Sequence, residues 1–149
     1  MRLILLMIAC ALVACAQIPN EKTTPAREIT SVNAIALMSQ RDVYWLDVRS
    51  PDERLTGNMP EAMHIRFGPL RWTERPVSRE DIAVFLADVG GKFPDKSAVL
   101  IVFCNVGIRS HAAVQALAQD GYGHVMAVRQ GFLGNRFGEG LEAHLLLRH

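Results

Sequence analysis

The chain has 149 residues, with 16 lysines and arginines against 15 aspartates and glutamates, and half of its residues are hydrophobic. This length predicts one domain with a sizeable core, and the composition excludes a chain that is disordered throughout. The near-neutral charge excludes a generally basic nucleic-acid-binding protein and an acidic tail.

The first fourteen residues predict a signal peptide. Arg2 gives a short cationic start, and an uncharged run then continues to Ala14. That run is too short for a transmembrane helix, which needs about 20 apolar residues, and its flanks suit a secretory signal. It ends in Leu12-Val13-Ala14-Cys15, which resembles a bacterial lipobox and implies cleavage before Cys15 and lipidation of that cysteine. An ordinary cleaved signal and a buried first helix remain the alternatives.

The next segment predicts a membrane-proximal tether. Residues 15–28 lack apolar periodicity and include Pro19 and Pro25. We therefore expect a signal peptide over 1–14, a lipidated N-terminus and tether over 15–28, and a folded domain over 29–149. By resemblance to sorting signals, Ala16 after the lipidated cysteine points to the outer membrane. The expected location is the periplasmic side of the cell envelope, with the membrane that carries the anchor left open.

The cysteine count singles out Cys104. Of the three cysteines, Cys10 would leave with the signal and Cys15 would carry lipid. Cys104 would then be alone in an oxidising compartment, where cysteines usually form disulfides. A lone thiol in an exported domain predicts a reactive residue, whereas a buried and inert cysteine is the alternative.

Strand and helix signals alternate along the rest of the chain. We predict strands at 28–32, 43–48, 62–67, 98–103 and 124–128, and helices at 34–40, from Ser78 to a stop at Gly90-Gly91, and at 107–119. The continuous apolar run at 98–103 is typical of a central parallel strand that is covered on both faces. This alternation predicts an α/β fold with a parallel sheet.

In this arrangement Cys104 lies at the carboxyl end of the most buried strand, immediately before a helix. Ligands of open α/β sheets bind at that edge. Gly107 allows backbone N–H groups to turn inward, while the helix N-terminus and Arg109 add positive potential. These features favour a thiolate, and the pattern suits a sulfur relay in which Cys104 takes sulfur from a donor and passes it to a nucleophile. Neither a metal nor a general base is needed.

Two motifs resemble the rhodanese, or sulfurtransferase, domain over roughly residues 28–140. The first comprises Asp47-Val48-Arg49-Ser50-Pro51, Glu53, Gly57-Asn58-Met59-Pro60-Glu61-Ala62 and His64-Ile65; the second is the loop from Cys104 to Arg109 with Ser110. Gly121-Tyr122 and Gly131-Phe132 resemble later landmarks of that family. The resemblance implies a rhodanese-like, doubly wound α/β domain with a five-stranded parallel sheet flanked by helices.

The resemblance also implies roles for individual residues. Cys104 would be the nucleophile that forms a persulfide, and Arg109 would stabilise the anionic loop. The cradle for the substrate and the persulfide would be formed by Asn105, Val106, Gly107, Ile108 and Ser110. Asp47 and Arg49 would be mainly structural. The expected donor is a small anionic sulfur compound such as thiosulfate, and the acceptor is cyanide or a thiol, with no cofactor.

The sequence departs from the family pattern at a few positions. Asn105 stands where the family often has arginine, which removes a charge that would help to bind thiosulfate, and Asn58, Glu61 and Gln130 are also unusual. Arg66 and Arg71 follow a predicted strand end, and we hypothesise that one of them attracts the anionic donor. The alternative for both is a solvated surface loop.

Two other classes of function remain. Cysteine phosphatases and arsenate reductases use a similar anion-binding loop, but with five residues between cysteine and arginine, whereas this loop has four, Asn105 to Ile108. A non-catalytic binding module or sulfur carrier of the envelope is the stronger alternative. The histidines show no ligand spacing, so we expect no metal site. We also expect a monomer that does not bind nucleic acid.

Overall fold

The computed structural model describes residues 26–71 and 73–147. The predicted signal peptide at 1–14, the lipidation site Cys15 and the tether up to residue 25 lie outside the described residues. Within the described ranges, no helix is both long enough and apolar enough to cross a membrane.

A five-stranded parallel sheet forms the centre of the fold. Its strands are β1 (Glu28–Ile29), β2 (Val43–Asp47), β3 (Ala62–His64), β4 (Val99–Phe103) and β5 (His124–Val128), in the spatial order β1-β5-β4-β2-β3. The central position of β4 explains its continuous apolar run, because both faces of the strand are covered. The predicted five-stranded parallel α/β fold is confirmed.

Helices cover both faces of this sheet. They are α1 (Ser31–Ala36), α2 (Pro51–Arg54), α3 (Arg79–Lys92), α4 (Ile108–Gln119) and α5 (Leu141–Leu146), and a short hairpin pairs β6 (Gly134–Asn135) with β7 (Gly138–Glu139). Leu100 and Val102 of β4 pack in one core cluster with α3 and α4. Ile101 and Phe103 pack in the other with α1 and α5. The alternation along β4 therefore divides the core into two layers, as a doubly wound sheet requires.

The predicted stop of α3 at Gly90-Gly91 is wrong, because the helix continues to Lys92. Its start at the Ser78 cap is correct: the Asp81 N–H donates to Ser78 Oγ over 3.2 Å. Phe85 and Val89 are fully buried, and Phe93, directly after the helix, is also buried. Burial of this face outweighs the cost of two glycines, which is about 1 kcal/mol each relative to alanine.

The edge elements are shorter than predicted or shifted along the chain. β1 ends at Ile29 and β3 ends at His64, while α1 begins at Ser31 and ends at Ala36. The Thr30 hydroxyl accepts the Asn33 N–H over 3.3 Å, which fixes the start of α1. Gln130 also stabilises the start of α1, because its Oε1 accepts the Ser31 N–H over 3.0 Å.

Candidate active site

Cys104 lies in the loop between the central strand β4 and α4. Its side chain is completely buried. The Gly107 N–H donates to Cys104 Sγ over 3.2 Å, and Ser110 Oγ lies 3.7 Å from the same sulfur. Gly107 is the N-cap of α4 and has a φ of +92°. This left-handed conformation favours glycine, and a Cβ at this position would also lie 2.3 Å from Arg129 O.

The segment after β5 fixes the outer side of this loop. Three hydrogen bonds connect them: Phe132 N–H to Cys104 O at 2.7 Å, Leu133 N–H to Asn105 O at 3.0 Å, and Asn135 Nδ2–H to Val106 O at 2.9 Å. Gly131 makes this approach possible, because a Cβ there would lie 2.5 Å from Asn105 O. The sequence singled out Gly131-Phe132 only as a landmark, whereas the structure shows that the segment holds the loop in place.

Arg109 is paired with a carboxylate that the sequence did not identify as its partner. Its side chain is 5% exposed, and both terminal nitrogens of the guanidinium donate to the carboxylate of Glu53, with Nη1 reaching Oε2 over 2.7 Å. Arg109 belongs to α4 and Glu53 to α2, so the ion pair joins two elements that flank the loop. The positive charge predicted beside Cys104 is therefore largely balanced by Glu53.

Glu53 accepts hydrogen bonds from three parts of the site. Its carboxylate accepts the Ser50 N–H at 2.9 Å, the Ser50 hydroxyl at 2.6 Å and the Asn105 amide at 2.7 Å, besides the Arg109 guanidinium. Burial would raise the pKa of Glu53, but the hydrogen bonds from Arg109 and Ser50 outweigh it and lower that pKa below 4.5. The Ser50-x-x-Glu53 spacing, a helix-capping signature, was the available sequence signal for this residue.

Asn105 connects two ion pairs. Its Nδ2 donates to Glu53, and its Oδ1 accepts from Arg49 Nη1 over 3.3 Å. Arg49 is completely buried, where it pairs with Asp47 over 2.9 Å. An arginine at position 105 would bring a third guanidinium close to Arg49 and Arg109. The neutral amide thus fits this network, because it can donate to one charged group while it accepts from the other.

Two predicted anion-attracting residues are not brought into this cluster. Contacts among the described residues join Cys104, Asn105, Gly107, Arg109 and Ser110, with Val106 and Ile108 exposed on the loop. Arg66 is half-buried beyond β3. The exposed Arg71 lines a surface cavity of about 480 Å³ with Leu70, Thr73 and Glu74, none of which belongs to the Cys104 loop.

The depressed pKa of Glu53 predicts a contribution to stability that depends on pH. A carboxyl group whose pKa is lower in the folded state stabilises the fold above its unfolded pKa, and this contribution is lost as pH falls through the folded value. As pH falls from about 5 through the folded pKa of Glu53, the free energy of unfolding should therefore decrease more steeply for the wild type than for Glu53→Gln. Urea denaturation at several pH values measures how the free energy of unfolding of each protein changes with pH. Equal slopes for the two proteins would contradict a lowered pKa of Glu53 in the folded state.

Comparison with known proteins shows to which family this domain belongs. The family model of the rhodanese-like domain matches residues 31–134. The chain belongs to the rhodanese-like domain family. That match includes α1, the four strands from β2 to β5 and the loop that carries Cys104.

Individual relatives of this rhodanese-like domain are distant. A sulfurtransferase of Allochromatium vinosum is 28% identical over 99 residues, covering 65% of this chain and 75% of that protein. The structure of a human single-domain sulfurtransferase is 21% identical with a TM-score of 0.53, over 72% of this chain and 92% of that one. Reduced Bacillus anthracis CoADR-RHD is 18% identical with a TM-score of 0.51, over 72% of this chain and only 16% of that one. These similarities support membership of a sulfurtransferase family, and the structural ones show the fold.

Proposed function

We propose that this protein moves a sulfane sulfur from a donor such as thiosulfate to a thiophilic acceptor through a persulfide on Cys104. In the first step the Cys104 thiolate attacks the outer sulfur of thiosulfate. A bond forms between Sγ and that sulfur, the bond inside thiosulfate breaks, and sulfite leaves with the electron pair. In the second step cyanide or a thiolate attacks the outer sulfur, and Cys104 leaves as a thiolate.

The hydrogen bond from Gly107 N–H to Cys104 Sγ is the observation that best supports this proposal. A backbone donor at a helix N-terminus stabilises negative charge on the sulfur, and it requires no general base. The loop has four residues between Cys104 and Arg109, one fewer than a phosphatase-type loop uses. This shorter loop favours a single outer sulfur over a tetrahedral oxyanion.

Cys104→Ser should abolish sulfur loading. Intact mass after incubation with thiosulfate should show a gain of one sulfur atom in the wild type and no gain in the variant, because a serine hydroxyl cannot form a persulfide. Cyanide should remove the added sulfur. Loading without turnover would instead favour the non-catalytic sulfur carrier, and a wild type that takes up no sulfur from any sulfane donor would contradict the proposal.

Two further expectations extend this proposal. Arg66 or Arg71 would attract an anionic donor toward the edge of the sheet through long-range charge, since neither needs direct contact to do so. Lipidation of Cys15 would place the domain on the periplasmic side of the envelope. Two or more acyl chains are enough for stable attachment, and a neutral mature chain would depend on them.

A further inference from the structure

Four large apolar side chains that lie on or beside the Cys104 loop are exposed to solvent. They are Val106 (42% exposed), Ile108 (70%), Leu133 (48%) and Phe137 (49%), and we call them the apolar rim. Val106 belongs to the loop itself, and Ile108 is the first residue of α4. Because Leu133 N–H donates to Asn105 O, and Asn135 joins the loop to the turn that carries Phe137, the rim is a fixed part of the site.

Positive charge lies beside this apolar rim. The guanidinium carbons of Arg129 and Arg136 lie 4.2 Å and 4.8 Å from the centroid of the Phe137 ring. Glu28 lies 3.8 Å from Arg129, whereas no ion pair identified among the described residues involves Arg136. Arginine and aromatic side chains together are typical of residues that contribute strongly to binding at protein interfaces.

Cys104 is completely buried, and a surface cavity of about 300 Å³ beside its loop is lined by Val106, Gly107, Ile108 and Phe137. Because the Gly107 N–H contacts the sulfur, an acceptor that enters this cavity comes close to Cys104 and meets the apolar rim. The outer sulfur of a persulfide would extend from the buried Sγ toward the loop surface. Cyanide or a small polar thiol would gain little from four apolar side chains, because it is too small to cover them. A thiol carried by a polypeptide would bury them, at about 25 cal/mol for each Å² of apolar surface removed from water.

We propose that the physiological acceptor is a cysteine on an acidic, partly apolar segment of a partner protein that docks on the apolar rim. The apolar residues of the segment would cover Ile108 and Phe137, while its carboxylates would approach Arg136 and Arg129. This inference rests on the proposed function, because it needs a persulfide on Cys104.

The transfer step balances without an added oxidant or reductant. The acceptor cysteine loses its proton to solvent, and its thiolate attacks the outer sulfur of the Cys104 persulfide. A new sulfur–sulfur bond forms on the acceptor, the bond to Cys104 Sγ breaks, and Cys104 leaves with the electron pair as a thiolate. The acceptor cysteine becomes a persulfide.

Short synthetic peptides test this preference on the wild-type protein. The probe carries one cysteine flanked by leucines and aspartates, and two matched peptides replace either the aspartates with lysines or the leucines with serines. With thiosulfate as donor, kcat/KM for sulfur transfer to the acidic apolar peptide should exceed that for either matched peptide by about tenfold. Cyanide serves as the small acceptor in parallel assays.

Arg136→Glu and Phe137→Ser should each reduce the ratio of peptide transfer to cyanide transfer by about tenfold. The first reverses the charge, and the second removes the apolar ring against which Arg129 and Arg136 lie. Arg41→Glu and Val84→Ser are matched controls. Arg41 is exposed before β2, at the amino ends of the strands and thus opposite the Cys104 loop. Val84 is 57% exposed in α3. Both controls should keep the wild-type ratio.

The outcomes separate this inference from the function on which it rests. A wild type that loads sulfur and transfers it to cyanide, but shows no preference among the peptides, overturns the docking surface alone. The same conclusion follows if the rim variants and the control variants lower the ratio equally. Failure of Cys104 to load sulfur overturns both the proposed function and this inference.

Discussion

Replacing Glu53 with leucine should lower the free energy of unfolding by about 3–5 kcal/mol, the usual cost of leaving one partner of a buried ion pair alone. Arg109, whose side chain is 5% exposed, would lose its carboxylate partner. The donors of Ser50 and Asn105 that now reach Glu53 would lose their acceptor as well. Urea denaturation near neutral pH measures the loss.

A double-mutant cycle with Arg109→Leu identifies the cause. If the ion pair dominates, the double variant should lose less unfolding free energy than the two single variants lose together, by at least about 1 kcal/mol. Glu61→Leu replaces an exposed glutamate and serves as the matched control, with an expected change within about 0.5 kcal/mol. Additive effects of Glu53→Leu and Arg109→Leu would show that the pair is not coupled.

The sequence was sufficient to predict the centre of the fold and the place of Cys104. The run from Val99 to Phe103 is apolar at every position, which is expected only where both faces of a strand are covered. A cysteine that directly follows such a strand and precedes a helix must lie at the carboxyl edge of the sheet. The local pattern was therefore enough to predict the position of Cys104 in the fold without any knowledge of its contacts.

The side-chain network around Cys104 could not be predicted in the same way. Glu53 is 52 residues from Asn105 and 56 residues from Arg109, and nothing local to either position indicates the contact. From the sequence, Asn105 looked only like the loss of a positive charge. The structure shows that its amide donates to Glu53 and accepts from Arg49 at the same time. Both hydrogen bonds depend on how the Cys104 loop packs against α2 and the end of β2.

The end of α3 shows why local signals fail where burial is strong. Two adjacent glycines predict a stop, because glycine is unfavourable within a helix. Here neither glycine has a neighbouring atom within 4 Å that a Cβ would meet, and the buried Val89 and Phe93 on either side hold the backbone in place. Tyr122 adds a further constraint, since its hydroxyl donates to Phe93 O over 2.7 Å.

Gly131→Ala should damage both the fold and the sulfur-loading step. Gly131 has a φ of +71°, and a Cβ there would lie 2.5 Å from Asn105 O and 2.7 Å from Cys104 O. Left-handed strain and the clash together should cost about 2–4 kcal/mol of unfolding free energy. Because these carbonyls belong to the loop that positions Cys104, the clash should also move the sulfur away from the Gly107 N–H.

Gly91→Ala is the matched control for this substitution. Gly91 lies within α3 with open space around its Cα, so alanine there should stabilise the protein by about 0.5–1 kcal/mol. Sulfur loading from thiosulfate, followed by intact mass over time, should slow by about tenfold or more in Gly131→Ala and stay at the wild-type rate in Gly91→Ala. A Gly131→Ala protein that loads sulfur at the wild-type rate would show that the contact between the 131–133 segment and the loop does not position Cys104.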